Sequence, residues 1–312
     1  MKLVKIIIIT LLIQCSISRK VVMKEVKVES FRLKEHMETL ISFPNRSYDN
    51  LEGLNQSAAY IKKQFESIGL VAQEQVFIVD NETYKNIVAV IGQEGNPKIV
   101  IGAHYDVCGE QDGADDNASG ISGLIELARV LKQGESQLKY RIEFVAYSLE
   151  EPPFFSTQSM GSYIHARSLF EKGEKIKLMI CLEMIAYFSD EENSQDYPFP
   201  GMNLLYPRKG NFIAAVSNLR SSEYIKLFKD TMKEYTTLPC EVLAAPRILT
   251  GIDFSDHRNY WKFEYPAIMI TDTAFYRNKN YHLPTDTIDT LDIPKMTEVV
   301  KGLSYFILSG KI

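Results

Sequence analysis

The chain has 312 residues, of which 45% are hydrophobic and 24% are charged, a balance typical of a globular protein with a substantial core. The net charge is -5, and lysines and arginines are dispersed along the chain, so the composition argues against nucleic acid as a partner. Only Cys108, Cys181 and Cys240 lie beyond the N-terminal region, and this odd number excludes a complete disulfide framework.

The N-terminus carries a secretory pattern. Two lysines among the first five residues precede the apolar run Ile6–Ile13, which is too short to span a bilayer. We therefore expect a signal segment over residues 1–20, an exported protein and no integral membrane span. Leu12–Cys15 resembles a bacterial lipobox, although Gln14 stands where a small residue is usual. Two alternatives remain: a lipoprotein anchored to the membrane at Cys15, or simple cleavage that yields a periplasmic or secreted protein.

The first predicted elements are two helices and two strands. Ser30–Ser42 and Gln56–Ile68 have the spacing of apolar residues that is typical of helices. Asn86–Ile91 and Lys98–Ala103 are short β-branched runs, and the turn-forming segment Gly92–Pro97 between them predicts a hairpin.

Helices and strands then alternate along the chain. The predicted helices are Ala118–Lys132, Met160–Phe170, Ser221–Tyr235 and Ile293–Leu308. The predicted strands are Tyr140–Tyr147, Lys175–Ile185, Asn203–Tyr206, Asn211–Val216 and Ala267–Thr271. Such alternation, with nearly continuous apolar strands, predicts an α/β fold, namely a single-domain three-layer α/β/α sandwich with a mixed, largely parallel central sheet.

Acidic and imidazole side chains follow the predicted strands. Because ligands of parallel sheets collect at the carboxyl ends of strands, we expect these groups to lie close together. Neutral imidazole and carboxylate oxygens are good zinc ligands. Glu183 lies inside an apolar run, where an unpaired carboxylate would be costly to bury, and this favours a metal partner. The strand-end groups are His104, Asp106, Asp115, Asp116, Glu150, Glu151, Glu183, His282 and Asp286.

The motifs HYD, GADDNASG, SLEEPP, LEM and YHLPTD occur in the order found in family M28 zinc peptidases, which the chain resembles from about residue 86 to its end. The resemblance implies two co-catalytic zinc ions and a zinc-peptidase (phosphorylase/hydrolase-like) fold over residues 21–312. Asp116 would bridge the two ions. The implied metal ligands are His104, Asp116, Glu151, Glu183 and His282.

The resemblance also implies roles for neighbouring residues. Glu150 matches the family's general base, and Asp106 would hold the His104 imidazole in place. Asp286 would be a similar supporting partner or a turn cap. The chain departs from the family at Glu183, where many relatives have Asp, and in the loop EEPPFFSTQSMGS, which is unlike the shorter Gly-rich loop of some relatives.

The implied activity is that of a zinc-dependent exopeptidase, an aminopeptidase that hydrolyses N-terminal residues from peptides with a free N-terminus. A metal-bridged hydroxide would attack, with Glu150 accepting its proton. Tyr281 is a candidate substrate contact, as are Asp256 and His257, for which a purely structural role is the alternative. Most of the aromatic residues near the site are expected to be packing residues, and a few of them to line a pocket for an apolar or aromatic N-terminal side chain. These aromatic residues are Phe154, Phe155, Tyr187, Phe188, Tyr260, Trp261, Phe275 and Tyr276.

Three alternatives differ from this assignment. Glutaminyl cyclases share the fold and resemble a single-zinc version of the site, but they usually have Asp-Ser where Asp116-Asn117 stands here. A non-enzymatic binding protein could keep the fold without metals, although no ligand is lost in this sequence. Family M20 also begins with an HxD motif, but its bridging Asp is typically followed by Met-Lys-Gly, which differs from DNASG.

Overall fold

The structure is a computed structural model that describes residues 25–312. The predicted signal segment and Cys15 lie outside the described residues. Within residues 25–312, no helix combines the length and apolar character needed to cross a bilayer.

Eight strands form one sheet in the order β1-β2-β4-β3-β5-β8-β6-β7 in the described part of the chain. The strands are β1 Val71–Val79, β2 Glu82–Ile91, β3 Lys98–His104, β4 Arg141–Tyr147, β5 Ile176–Glu183, β6 Ile213–Asn218, β7 Cys240–Ala245 and β8 Ala267–Thr271. The helices are α1 Ser30–Ser42, α2 Leu51–Ser67, α3 Gly120–Gln133, α4 Gly161–Glu171, α5 Ser222–Tyr235, α6 His257–Lys262 and α7 Ile293–Leu308.

The centre of the sheet is parallel and its margins are mixed. β3 pairs in parallel with β4 and β5, and β5 pairs in parallel with β8. β6 and β7 are also parallel to each other, whereas β1 with β2, β2 with β4 and β6 with β8 are antiparallel. The carboxyl ends of β3, β4, β5 and β8 therefore meet at one edge of the sheet.

Helices cover both faces of the sheet. On β3, Ile99 and Ile101 pack into the larger core with α1, α2, α3, α5 and α7, while Val100 packs into a second core with α4 and α6. Successive strand residues point to opposite faces, so a strand that is apolar at every position must be covered on both. The predicted three-layer α/β/α fold is confirmed.

The predicted hairpin between β2 and β3 is wrong. β2 pairs with β4, and β3 lies on the other side of β4, so the segment between β2 and β3 connects strands that are not neighbours. The hairpin lies one strand earlier, where Asp80 and Asn81 join β1 to β2 with φ values of 50° and 67°. Two successive positive φ values are typical of the tight turn that matches strand twist.

The other differences concern exposed or short elements. The predicted strand Asn203–Tyr206 is wrong, because this segment contains a 3-10 turn at Met202–Leu204 in a surface loop. β1 and β7 lie at the two edges of the sheet and were not predicted, nor was the six-residue helix α6. Edge strands are covered less completely than central ones, and most residues of β1 and β7 are exposed or half-buried. Polar residues interrupt both strands, at Gln73–Gln75 in β1 and at Glu241 in β7.

Candidate metal centre

The carboxyl edge of the sheet brings the predicted ligands together from several elements. His104 is the last residue of β3 and Glu183 is the last residue of β5. Glu151 follows β4, and His282 lies in the connection between β8 and α7. Asp116 lies in the turn Ala114–Ser119, directly before α3. The geometry of the site therefore depends on the register of the parallel strands β3 and β5. It depends also on the three loops that carry Asp116, Glu151 and His282.

Asp116 lies between two pairs of side chains. Its Oδ1 atom is 3.3 Å from His104 Nε2, and its Oδ2 atom is 3.2 Å from His282 Nε2. Glu183 Oε2 lies 3.4 Å from His104 Nε2, and Glu151 Oε2 lies 3.1 Å from His282 Nε2. The geometry thus consists of two His-Glu pairs, each facing a different oxygen of one shared carboxylate.

The donor atoms have the properties of metal ligands. An unsatisfied polar group is costly to bury, yet several atoms here approach one another closely without hydrogen-bond geometry. One ligand atom each from His104, Asp116 and Glu151 lie within 4.8 Å of one another. Imidazole and carboxylate are a donor set that zinc accepts, so the residues fit a metal centre. The buried atoms without a hydrogen-bond partner include His104 Nε2, Asp116 Oδ1, Asp116 Oδ2, Glu151 Oε1 and His282 Nε2.

Glu150 lies beside these donors but belongs to neither pair. Its Oε2 atom is 4.0 Å from His104 Nε2, farther than either Asp116 or Glu183. Burial raises the pKa of the Glu150 carboxyl well above its usual value. A general base has to lie close to the reacting groups, and the Glu150 carboxyl meets this requirement.

Asp106 contacts two of the elements that carry ligands. Its Oδ2 atom accepts a hydrogen bond of 3.0 Å from the backbone N–H of Glu151, and its Oδ1 atom lies 3.5 Å from His104 Nδ1. One carboxylate therefore ties the loop after β3 to the loop after β4, which fits a supporting role for Asp106.

Asp286 supports the turn that carries Asp116 and does not contact His282 through a hydrogen bond. Its carboxylate accepts hydrogen bonds of 3.0 Å from the backbone N–H groups of Asp115 and Asp116. Gly113 starts this turn with φ 58°, and a Cβ there would collide with the carbonyl oxygen of Asp116. The turn is therefore held from outside by Asp286 and depends on glycine at its first residue.

We expect Asp286→Ala to weaken metal binding about 10- to 100-fold, as is typical when a partner that orients a ligand is lost. Both backbone N–H groups would lose their acceptor, and Asp116 would lose its fixed orientation. Isothermal titration of the metal-free protein with zinc measures the effect. The exposed Asp289, changed to Ala, is the matched control and should leave the affinity unchanged. Equal affinities for the two variants would contradict the positioning role.

Asp115 differs from its neighbour in what it contacts. Its Oδ1 atom accepts a hydrogen bond from Ala186 N at 3.1 Å, and its Oδ2 atom accepts one from Asn278 Nδ2 at 2.8 Å. Both oxygens thus accept hydrogen bonds, one from the loop after β5 and one from the loop after β8. Asp115 anchors the turn, whereas Asp116 faces the two histidines.

Sequence reasoning did not identify several residues that support the site. Ser255 Oγ donates a hydrogen bond of 2.6 Å to Glu183 Oε2. Asn117 donates to Leu182 O at 2.9 Å and so ties the turn to β5. Ser255 directly precedes the candidate substrate contacts Asp256 and His257, and Asn117 lies in the GADDNASG motif. Arg46 lies in none of the motifs that carry the family resemblance.

Arg46 is buried and holds three separate backbone segments. Its guanidinium donates hydrogen bonds to Tyr105 O at 3.0 Å, Leu40 O at 3.1 Å and Gly113 O at 3.1 Å. These carbonyls belong to the loop after β3, the end of α1 and the start of the Asp116 turn. Arg46 therefore fixes the backbone around the ligands.

We expect Arg46→Met to lower the free energy of unfolding by about 3 kcal/mol or more, because each buried carbonyl left without a donor costs about 1–3 kcal/mol. Denaturant unfolding measures this change. Arg220 pairs with Glu264 at 2.7 Å with side chains 64% and 76% exposed, so Arg220→Met is the control. Its effect should stay within about 1 kcal/mol. Similar losses in both variants would be the contrary result.

The three candidate substrate contacts differ in burial. Asp256 and His257 are fully buried, and His257 Nε2 lies 2.8 Å from Ile252 O. The His257 ring packs edge-on against Trp261 with centroids 4.6 Å apart. This burial favours the structural alternative for both residues. Tyr281 instead stacks on His282, with ring centroids 3.8 Å apart, and is partly exposed.

An apolar pocket opens beside the metal ligands. Glu183 and Tyr281 form part of its wall, so the pocket and the donor cluster adjoin. Met269 of β8 and Val216 of β6 are also part of the lining. Of the eight aromatic residues from which a few were expected to line a side-chain pocket, Phe275 and Tyr276 do so. Further aromatic lining residues, which were not predicted, are Tyr197, Tyr206, Phe212 and Phe254.

Comparison with known proteins gives the same assignment at the level of the family. The model of peptidase family M28 matches residues 86–307. The uncharacterized protein YfbL of Escherichia coli is 46% identical over 85% of this chain and 83% of its own length. Leucine aminopeptidase 1 of Leptosphaeria maculans is 26% identical over 93% of this chain and 73% of its own length.

Solved structures share the fold. Legionella pneumophila LapA aminopeptidase has a TM-score of 0.71 at 22% identity, covering 90% of this chain and 71% of that one. Glutaminyl cyclase of Bacteroides thetaiotaomicron has a TM-score of 0.67 at 16% identity, covering 91% of this chain and 99% of that one. At these identities the likeness concerns the fold alone. The family match over most of the chain, together with the sequence identity to YfbL, establishes that this protein belongs to peptidase family M28.

Proposed function

We propose that the protein is a zinc-dependent aminopeptidase that removes N-terminal residues from peptides, with Glu150 as its general base. The observation that carries this proposal is the arrangement around Asp116. Its Oδ1 atom lies 3.3 Å from His104 Nε2 in one His-Glu pair, and its Oδ2 atom lies 3.2 Å from His282 Nε2 in the other. A carboxylate shared in this way is what a two-metal peptidase site requires.

Each ion would have its own pair of ligands. His104 and Glu183 would hold one ion, and His282 and Glu151 would hold the other, with Asp116 common to both. Zinc at such a site supplies a Lewis acid that lowers the pKa of water and polarises a carbonyl group.

The protein's own groups would move the protons. Glu150 would take a proton from the attacking water and return it to the departing amine, because it lies beside the ligands without belonging to either pair. Tyr281, stacked on His282, would direct its hydroxyl to the substrate carbonyl. The carboxylates beside the metal site, among them Glu183 in the pocket wall, would favour a free α-amine at this end of the substrate.

Metal analysis and two matched substrates test this proposal. We expect two metal ions per chain, cleavage of an aminoacyl anilide with a free amine, and no cleavage of its N-acetylated counterpart. A glutaminyl cyclase would instead contain one zinc and release ammonia from a peptide with N-terminal glutamine. Cleavage of acetylated substrates alone would exclude an aminopeptidase.

The apolar pocket predicts the preferred N-terminal residue. Because its wall includes Met269, Val216 and Phe254, leucine, methionine or phenylalanine side chains would be buried there, whereas charged side chains would lose their hydration. We expect kcat/KM to be at least about tenfold higher for these substrates than for those with glutamate or lysine. A panel of aminoacyl anilides measures the ratio, with alanine as the reference. Preference for a charged residue would contradict this use of the pocket.

We also propose that residues 1–20 direct export. The supporting observation is the pair of lysines followed by the apolar run Ile6–Ile13. Cell fractionation of the wild-type protein and of Cys15→Ser distinguishes a lipid anchor from simple cleavage. Loss of membrane association in the variant would favour the anchor, and equal distribution would favour cleavage.

A further inference from the structure

Cys108 lies in the loop that begins with His104 and Asp106, directly after β3. It is a free cysteine of intermediate burial, whereas Cys181 and Cys240 are buried. The family motifs assign no role to Cys108, so any role must come from its surroundings in this chain.

Those surroundings are one half of the metal centre. A carboxylate oxygen of Glu151, an imidazole nitrogen of His282 and the Sγ atom of Cys108 all lie within 4.8 Å of one another. Glu151 is only 4% exposed, and its Oε1 atom has no hydrogen-bond partner. His282 Nε2 is likewise without a hydrogen-bond partner. The thiol is therefore close to buried donors that lack partners, which sets it apart from an isolated surface cysteine.

We propose that Cys108 is a further ligand of the ion held by Glu151 and His282. This inference rests on the metal centre proposed above. Binding would form a bond between sulfur and the metal, and the thiol proton would pass to solvent.

A thiolate changes which metal this half of the site prefers. Sulfur is a soft ligand that favours zinc over manganese or magnesium, whereas the His104 half offers only nitrogen and oxygen. The two halves would therefore differ in affinity and in metal selectivity. The ion beside Cys108 would resist exchange for manganese more strongly than its neighbour.

Cobalt substitution tests the proposed bond directly. In the full protein loaded with two cobalt(II) ions, we expect a thiolate-to-cobalt charge-transfer band in the near ultraviolet. Cys108→Ser should abolish this band and weaken binding of one ion by about 10-fold or more, since even loss of an outer partner of a ligand costs 10- to 100-fold. Cys240→Ser is the matched control, because Cys240 lies in β7 and its thiol contacts the carbonyl of Glu241. This control should keep the band.

Alkylation gives a second measurement that needs no variant. Iodoacetamide should modify Cys108 in the metal-free protein, and zinc should slow this reaction at least about tenfold, because a thiolate bound to zinc is a poor nucleophile. Peptide mapping by mass spectrometry separates Cys108 from the other cysteines.

The outcomes distinguish this inference from the proposed function. If the protein binds no cobalt or zinc, the proposed metal centre is excluded, and the ligand role of Cys108 is excluded as well. If two ions bind without a charge-transfer band, or if zinc leaves the alkylation rate unchanged, the ligand role of Cys108 is wrong while the aminopeptidase proposal stands.

Discussion

Glu150→Gln is expected to lower kcat by about 10²- to 10⁴-fold while the protein keeps its metal, because general acid-base groups typically contribute this much. Glutamine has nearly the same size as glutamate but accepts no proton from water. Glu150 lies 4.0 Å from His104 Nε2, outside both His-Glu pairs, so its neutralisation should leave the ligands in place. Steady-state kinetics and metal analysis of the same sample measure both parts of this prediction.

The adjacent residue provides a stringent comparison. Glu151→Gln removes a carboxylate that lies 3.1 Å from His282 Nε2, so it should lower metal content or affinity as well as activity. Glu171→Gln, on the exposed end of α4, should change neither quantity. Retained turnover in Glu150→Gln would remove this residue from the mechanism. Lost metal in Glu150→Gln would make it a ligand instead.

The central part of the fold follows from the sequence because burial leaves a simple pattern. β3, β4 and β5 are covered on both faces, and each is nearly continuous in apolar residues, which is the pattern that predicted them. β1 has three consecutive polar residues, Gln73–Gln75, and lies at the sheet edge, so its apolar residues do not run the length of the strand. The pairing of β2 with β4 depends on contacts distant in the chain, which a local turn signal at Gly92–Pro97 cannot reveal.

The predicted ligands meet because they lie at strand ends or in motifs of fixed order. His104 and Glu183 end neighbouring parallel strands, so their proximity follows from the sheet. Arg46 could not be predicted, because it acts through backbone carbonyls that carry no sequence signal. The same holds for Cys108, since its closeness to His282 joins two loops far apart in the chain.

Asp116→Ala is expected to have the broadest effect on the proposed metal centre, because one substitution removes the carboxylate that faces both His-Glu pairs. Changes at Glu183 or His282 should weaken mainly one ion. In Asp116→Ala we expect loss of both ions during dialysis and activity at the level of the uncatalysed reaction. Metal analysis after dialysis, compared across the three variants, measures this difference.

Thermal unfolding with and without zinc gives an independent measure of the same prediction. Zinc at 100 times its dissociation constant should stabilise the wild-type protein by about 2.7 kcal/mol for each ion bound, since a ligand that binds only the folded state shifts the equilibrium by mass action. Asp116→Ala should show almost none of this stabilisation. Asp112→Ala, at an exposed position in the same loop, should show all of it. If Asp116→Ala retains two ions and the full zinc-dependent rise in Tm, the carboxylate does not bridge the metals, and the two His-Glu pairs must bind independently.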